Sequence, residues 1–219
     1  MDGIVVYLEQ NWVNIIHLTI QHIDISLLSI IFAMIIAIPL GIFSTRCRSL
    51  AKFIKGVFGT LRIIPSLAIL IFCIPIMGTG IKPAVTALAI LAIPPILINT
   101  ALAFQTLPEP VIEAAYAMGM GRARLFLTVK FPLAFPLIFT GIKTAVVEVI
   151  ASATLAAYIG AGGLGSLIFT GLGLMRSDLL IIGGGLVAVF SLLAGYLLTL
   201  LEHRMMRYKY SGHKKAIRI

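Results

Sequence analysis

Charge is what this sequence has least of. Only 11% of its 219 residues are Asp, Glu, Lys or Arg, 60% are apolar, and the mean hydropathy is +1.09. Soluble domains carry about a quarter charged residues. So few cannot cover a water-facing surface, which excludes a soluble globular chain and sends most apolar side chains toward lipid or other helices. Cysteine is scarce too: Cys47 and Cys73 form no CxxC and stand near no histidine cluster, which excludes a disulfide framework and a metal site of that kind. The patterns G-x-x-x-x-G-K-[ST], H-E-x-x-H and G-x-S-x-G are absent. No catalytic constellation is therefore expected, nor an enzyme, a cofactor or a bound metal. The opening MDGIVVYLEQNWVN lacks the basic region of a signal peptide, so this segment is expected to be retained.

What the sequence does have is long apolar runs. About 20 such residues cross a bilayer as a helix, and five stretches qualify: Ile25–Phe43, Phe53–Met77, Pro83–Phe104, Pro132–Tyr158 and Leu179–Leu201. Prolines 39, 65, 75, 94, 95 and 136 lie within them and predict kinked helices in a bundle. The fold class expected is all-α integral membrane, with a membrane domain over 25–201. Residues 1–24, less apolar and holding Trp12, His17 and His22, read as a separate extracellular or interfacial helix. Thirteen of the 17 basic residues fall on one side of such a five-span chain: after the first span, between the third and fourth, and in the tail 202–219. The positive-inside rule makes that side cytoplasmic and the N-terminus external. The net charge of +9 is thus a matter of topology, and no soluble basic face is left to bind nucleic acid.

The loop 105–131, QTLPEPVIEAAYAMGMGRARLFLTVKF, is long for a connection between spans. Pro108 and Pro110 open a short helix, Glu109 and Glu113 favour its positive end, and Gly119 with Gly121 can end it in a left-handed turn. Ala114 and Ala115 would let another protein approach, with Val111, Ile112 and Met118 as apolar anchors; a purely structural loop helix is the alternative. Gly160, Gly162 and Gly165 spell G-x-G-x-x-G, but a dinucleotide site needs a preceding strand and a later acidic residue in an α/β unit. A transmembrane helix precedes them here. The run 160–174, with Gly163, reads instead as an outer re-entrant segment or a plain external loop. Arg62, Lys143 and Glu148 lie within spans, where charge is costly, and should face the bundle interior or a polar cavity. Lys143 and Glu148 are poorly placed to pair, so an interhelix pair such as Glu148 with Arg62 is expected. Gly183, Gly184, Gly185 and Gly195 predict tight helix packing.

Glu113-Ala114-Ala115, Gly119, then Val129, Phe131 and Pro132 resemble the spaced EAA signature of binding-protein-dependent ABC importer permeases, with Val129 and Phe131 where Ile and Leu are more usual. Ile64-Pro65-Ser66-Leu67-Ala68, Gly141-Ile142-Lys143-Thr144-Ala145 and Ile159-Gly160-Ala161-Gly162-Gly163-Leu164-Gly165 are similar to segments of the branch importing glycine betaine, carnitine and choline. Arg62-Ile63-Ile64-Pro65 departs from that branch, which often has Gln before Thr-Ile-Pro, and adds a positive charge near the path. The resemblance implies a type I ABC importer permease fold in a bacterial cell membrane. It further implies partnership with ATP-hydrolysing ABC subunits, a second permease copy or paralogue, and an extracellular substrate-binding protein, since no binding domain follows the last span. ATPase coupling would fall to Glu113, Ala114, Ala115, Gly119 and Pro132. Candidates for the translocation path are Arg62, Pro65, Ser66, Lys143, Glu148, Gly160, Gly162, Gly163 and Gly165. Import of methionine, phosphonate or ergothioneine on the same fold is the nearest rival; an ion-driven secondary transporter and a membrane scaffold are more distant ones, since no matched pair of broken helices is found.

Overall fold

The computed structural model describes residues 2–45 and 48–205, most of them in helices. Cys47, Arg46 and the basic tail beyond residue 205 lie outside the described residues. In chain order the elements are α1 (Asp2–Ser44), α2 (Arg48–Leu61), α3 (Ser66–Met77), α4 (Ile81–Gln105), α5 (Glu109–Ala117), α6 (Arg122–Leu125), a π-turn (Phe126–Lys130), α7 (Phe131–Ser152), a 3-10 helix (Ala153–Ile159), α8 (Gly165–Gly173) and α9 (Ser177–Met205).

The centre of the bundle is α4, which contacts α1, α2, α3 and α7. Small residues make this possible: Ala84, Ala87, Ala89 and Ala92 are buried along it, with Leu88, Ile96 and Leu97 filling the space between. Neighbouring helices press in at two glycines. A Cβ on Gly41 of α1 would come within 2.7 Å of Thr100, and one on Gly141 of α7 within 2.7 Å of Asn99 and 2.8 Å of the Pro95 carbonyl. Without hydrophobic force between lipid-bathed helices, such close approach and its dispersion contacts hold the bundle together. The same logic picks out Gly183 in α9, where a Cβ would meet Ile168 and Leu167 of α8, but not Gly184 or Gly185, which have open space around them. Gly195 is in ordinary contact distance of Val147.

Four helical stretches have the length and apolarity to cross a membrane: 3–44, 81–105, 122–159 and 177–205. The second expected span, Phe53–Met77, is instead broken. Helix α2 stops at Leu61, the backbone turns through Arg62 to Pro65, and α3 begins at Ser66 with Pro65 as its cap. A residue before proline is pushed out of the helical region, and proline's missing N–H costs nothing in a first turn. At 12 residues, α3 is about 18 Å long and does not cross a hydrocarbon core of about 30 Å by itself.

The boundary expected between residues 24 and 25, where an N-terminal helix would give way to the first span, is not a break in the helix. Two helices meet across a kink at the non-helical Asn11 (φ −122°, ψ 18°), and the second runs on past residue 24 to Ser44. The first half of α1 docks on the α8–α9 hairpin, where Ile15 joins Leu167, Leu179 and Ile182, with Ile4, Tyr7 and Leu18 packed around them. Arg176 stacks 5.5 Å from the centre of the Tyr7 ring and pairs with Asp178. His22 is fully buried rather than interfacial.

Candidate functional site

Three features carry the residues singled out by sequence: a surface helix at one end of the bundle, a glycine loop at the other, and charged side chains between them. The surface helix is α5. Pro108 caps it in an extended conformation, Pro110 sits in its first turn and Glu109 lies at its positive end. It ends as expected at Gly119 (φ +78°). The Met120 N–H donates to the Ala115 carbonyl (3.2 Å) and the Gly119 N–H to Tyr116 (2.9 Å), the paired bonds of a Schellman cap, which satisfy carbonyls the helix leaves open. Val111, Tyr116 and Met118 stand exposed, Met118 at 70%. Glu113 and Ala114 are exposed with them, but Ala115 is buried at 2%, so only one alanine of the pair is open to another protein.

The return from α5 to the membrane runs through α6 and the π-turn. Pro132, in the first turn of α7, cannot donate, and its ring would crowd the carbonyl of Thr128 in a regular helix; the wider π-turn just before it absorbs the misfit, with the Phe131 N–H reaching back five residues to Phe126. Phe126 stacks on Phe104 of α4 at 5.7 Å, and Phe131, Phe135 and Phe139 continue the contact along α7. This aromatic ladder ties the loop to two membrane helices. The four-residue spacing of the α7 phenylalanines was its only trace in the sequence.

The glycine loop is held differently. Gly160 (φ +78°) ends the 3-10 helix in a second Schellman cap, with N–H bonds from Gly160 to Ala157 (3.0 Å) and from Ala161 to Ala156 (3.1 Å). The Gly80 N–H joins it to the start of α4 through the Ile159 carbonyl (2.8 Å). Beyond it, Gly163 donates its N–H to Gln21 Oε1 (3.2 Å) and lies over His22, whose Nε2 donates to the Ile150 carbonyl (3.0 Å). His22 Nδ1 has no hydrogen-bond partner among the described residues. A Cβ on Gly165 would fall 1.9 Å from the Thr154 carbonyl oxygen. Gly162, Gly163 and Gly165 thus seat α8 against α1 and the 3-10 helix of this same chain, while Gly160 is exposed. After the loop, α8 turns back into α9 through Met175, whose backbone is left-handed (φ +53°).

The charges sort into two pairs. Lys143 Nζ lies 2.5 Å from Glu202 Oε2, bridging α7 and α9, a partner 59 residues away that local spacing does not reveal. Arg62 Nη2, in the α2–α3 break, lies 3.9 Å from Glu148 Oε2 on α7, the pairing the sequence pointed to. Pro65 is exposed and Ser66 half-buried beside it.

Comparison with known proteins accounts for this arrangement. Residues 29–207 match the family described as the binding-protein-dependent transport system inner membrane component. The chain is 43% identical over 205 residues to the carnitine transport permease protein OpuCB of Listeria monocytogenes, and 37% identical over 205 residues to the choline transport system permease protein OpuBB of Bacillus subtilis, with 94% of both chains covered in each case. In fold it is similar to the methionine ABC transporter MetNI in an inward-facing conformation (TM-score 0.74, 21% identity, 89% of this chain and 95% of that one) and to an amino acid ABC transporter crystallised with histidines (TM-score 0.75, 18% identity, 91% and 97%). With its long apolar helices and the EAA-patterned α5 loop, the chain belongs to the binding-protein-dependent transport system inner membrane components: it is a multi-pass permease subunit of an ABC importer.

Proposed function

We propose that this permease carries quaternary ammonium osmolytes of the glycine betaine, carnitine and choline class across the cell membrane. The observation that supports it most is the extent of the likeness to the carnitine and choline permeases, 94% of each chain at 43% and 37% identity. In this reading α5 docks in a groove of a cytosolic ATP-hydrolysing subunit, and closure of the ATPase dimer moves it through Gly119 and the aromatic ladder. The path lies between this chain and a second copy or paralogue. The glycine-loop end faces outward, with the N-terminus, and receives an external binding protein, while the α5 end and the C-terminus are cytoplasmic.

The test is uptake of labelled osmolyte by cells that depend on the complete transporter, at low and high osmolarity, with ligand binding to the cognate binding protein measured in parallel. Import of any of the three osmolytes is expected, and to rise with osmolarity. A relative in Helicobacter pylori, the ergothioneine transport permease/ergothioneine binding protein EgtU, is 36% identical over 80% of this chain and 32% of its own. If the binding protein ignored all three osmolytes and took a thiol-containing or amino-acid ligand, the substrate class would be wrong and the permease assignment would stand. Gly119→Val and Glu113→Lys should insert normally and lose uptake, with copurification of the ATPase subunit as the second readout.

A further inference from the structure

The polar side chains of α7 fall on one line. Thr140, Thr144, Glu148 and Ser152 recur every four residues, so they form a single ridge along about 18 Å of the helix. All four are half-buried or exposed on this chain, whereas Gly141, Ala145 and Val149, one position on, are buried. The hydroxyls of Thr140 and Thr144 donate to the carbonyls of Pro136 and Thr140, each at 3.0 Å, which leaves their oxygen lone pairs free to accept. A charge facing lipid is too costly to hold, so the ridge borders polar space. Arg62 stands across from it.

The Arg62–Glu148 pair is open. A charge-assisted hydrogen bond closes at about 2.7–2.9 Å, and these groups stand 3.9 Å apart with side chains 45% and 30% exposed. Each charge retains most of its capacity to bind something else. We propose that Arg62 and Glu148 are the two poles of a zwitterion site, with Arg62 receiving a carboxylate and Glu148 facing a quaternary ammonium. The chemistry of the two poles is unequal. A guanidinium grips a carboxylate by two parallel N–H bonds, while a quaternary ammonium has no N–H and is attracted to Glu148 by charge alone. Arg62 therefore selects for zwitterions such as betaine and carnitine, and repels a plain cation such as choline.

This site rests on the function proposed above, and the experiment separates the two. Initial uptake of labelled glycine betaine, carnitine and choline is measured in cells carrying the complete transporter with the unaltered chain, R62Q, R62K or E148Q. The expected result is a fall of about tenfold in zwitterion uptake for R62Q, a matching shift of the zwitterion-to-choline ratio toward choline wherever choline is carried, and a smaller shift for R62K, which keeps the charge and loses the two parallel bonds. E148Q should depress every substrate that is carried. An R62Q ratio unchanged within about twofold, equal loss of all substrates in R62Q, R62K as impaired as R62Q, or carriage of choline alone by the unaltered complex each overturns the zwitterion site and leaves the proposed function standing. No uptake of any of the three by the unaltered complex overturns both.

Discussion

The two ends of the molecule use the same device and surround it differently. Gly119 and Gly160 both take left-handed backbone and both close a Schellman cap, and nothing stands within 4 Å of where a Cβ would be on either. Past Gly119 the chain stays open, leading through α6 and the π-turn with α5 exposed above them. Past Gly160 the chain has no slack: Gln21, His22 and Thr154 meet the next three glycines. The difference separates a turn with open space beyond it from a turn that fixes where α8 begins. The cap supplies direction in both cases; the packing decides how closely the segment that follows is held.

The sharpest way to break this contrast is at Gly165. Gly165→Ala drives a methyl into the Thr154 backbone, which no rotamer change relieves, and should destabilise the chain by about 3 kcal/mol. Thermal unfolding of the purified complex in detergent checks this, and a variant as stable as the parent would show that the glycine-loop end is not anchored. His22→Leu should cost about 2 kcal/mol, because the buried Ile150 carbonyl loses its donor while the volume is nearly kept. At the open end the expectation is reversed in kind: Gly119→Val pays only for left-handed backbone, about 1–2 kcal/mol, yet should remove transport, since osmolyte uptake rather than melting temperature reads the position of α5. Smallest, and opposite in sign, is Met175→Gly. Met175 is 89% exposed and holds a left-handed cap that glycine adopts without strain, so the substitution should stabilise by about 0.5–1 kcal/mol, seen as a small rise in the unfolding midpoint.

Much of this was legible in the sequence where one physical signal dominated. Hydropathy placed the spans at 83–104, 132–158 and 179–201 within a few residues of α4, α7 with its 3-10 extension, and α9. Proline, glutamate and glycine placement gave α5 and its cap. The reading failed where tertiary context arbitrates. Pro39, Pro94, Pro95 and Pro136 sit inside helices, which membrane helices tolerate where neighbours re-satisfy the freed backbone, whereas Pro65 starts a new helix; α2 is amphipathic and less apolar than α3, but counting apolar residues over 53–77 as one run averages that change away. His17 and His22 made residues 1–24 look interfacial, because a polar side chain on a buried helical face cannot be told from one in headgroups until the opposite partner, Ile150, is known. The Arg62–Glu148 pair followed from the angular mismatch of Lys143 and Glu148, but the Glu202 that satisfies Lys143 depended on how α9 folds back on α7.

The first helix acquires a mechanical meaning from its length. From residue 12 to Ser44 it runs without a break, with Asn11 as the flexure above it, so about 50 Å of chain behaves as one rod. Its lower end is seated on α4 at Gly41, and its upper part is seated on the α8–α9 hairpin at Ile15. Gln21 and His22 of the same rod hold the glycine loop and the Ile150 carbonyl, so the rod ties the seat at Gly41 to the opposite face, and neither end shifts without the other.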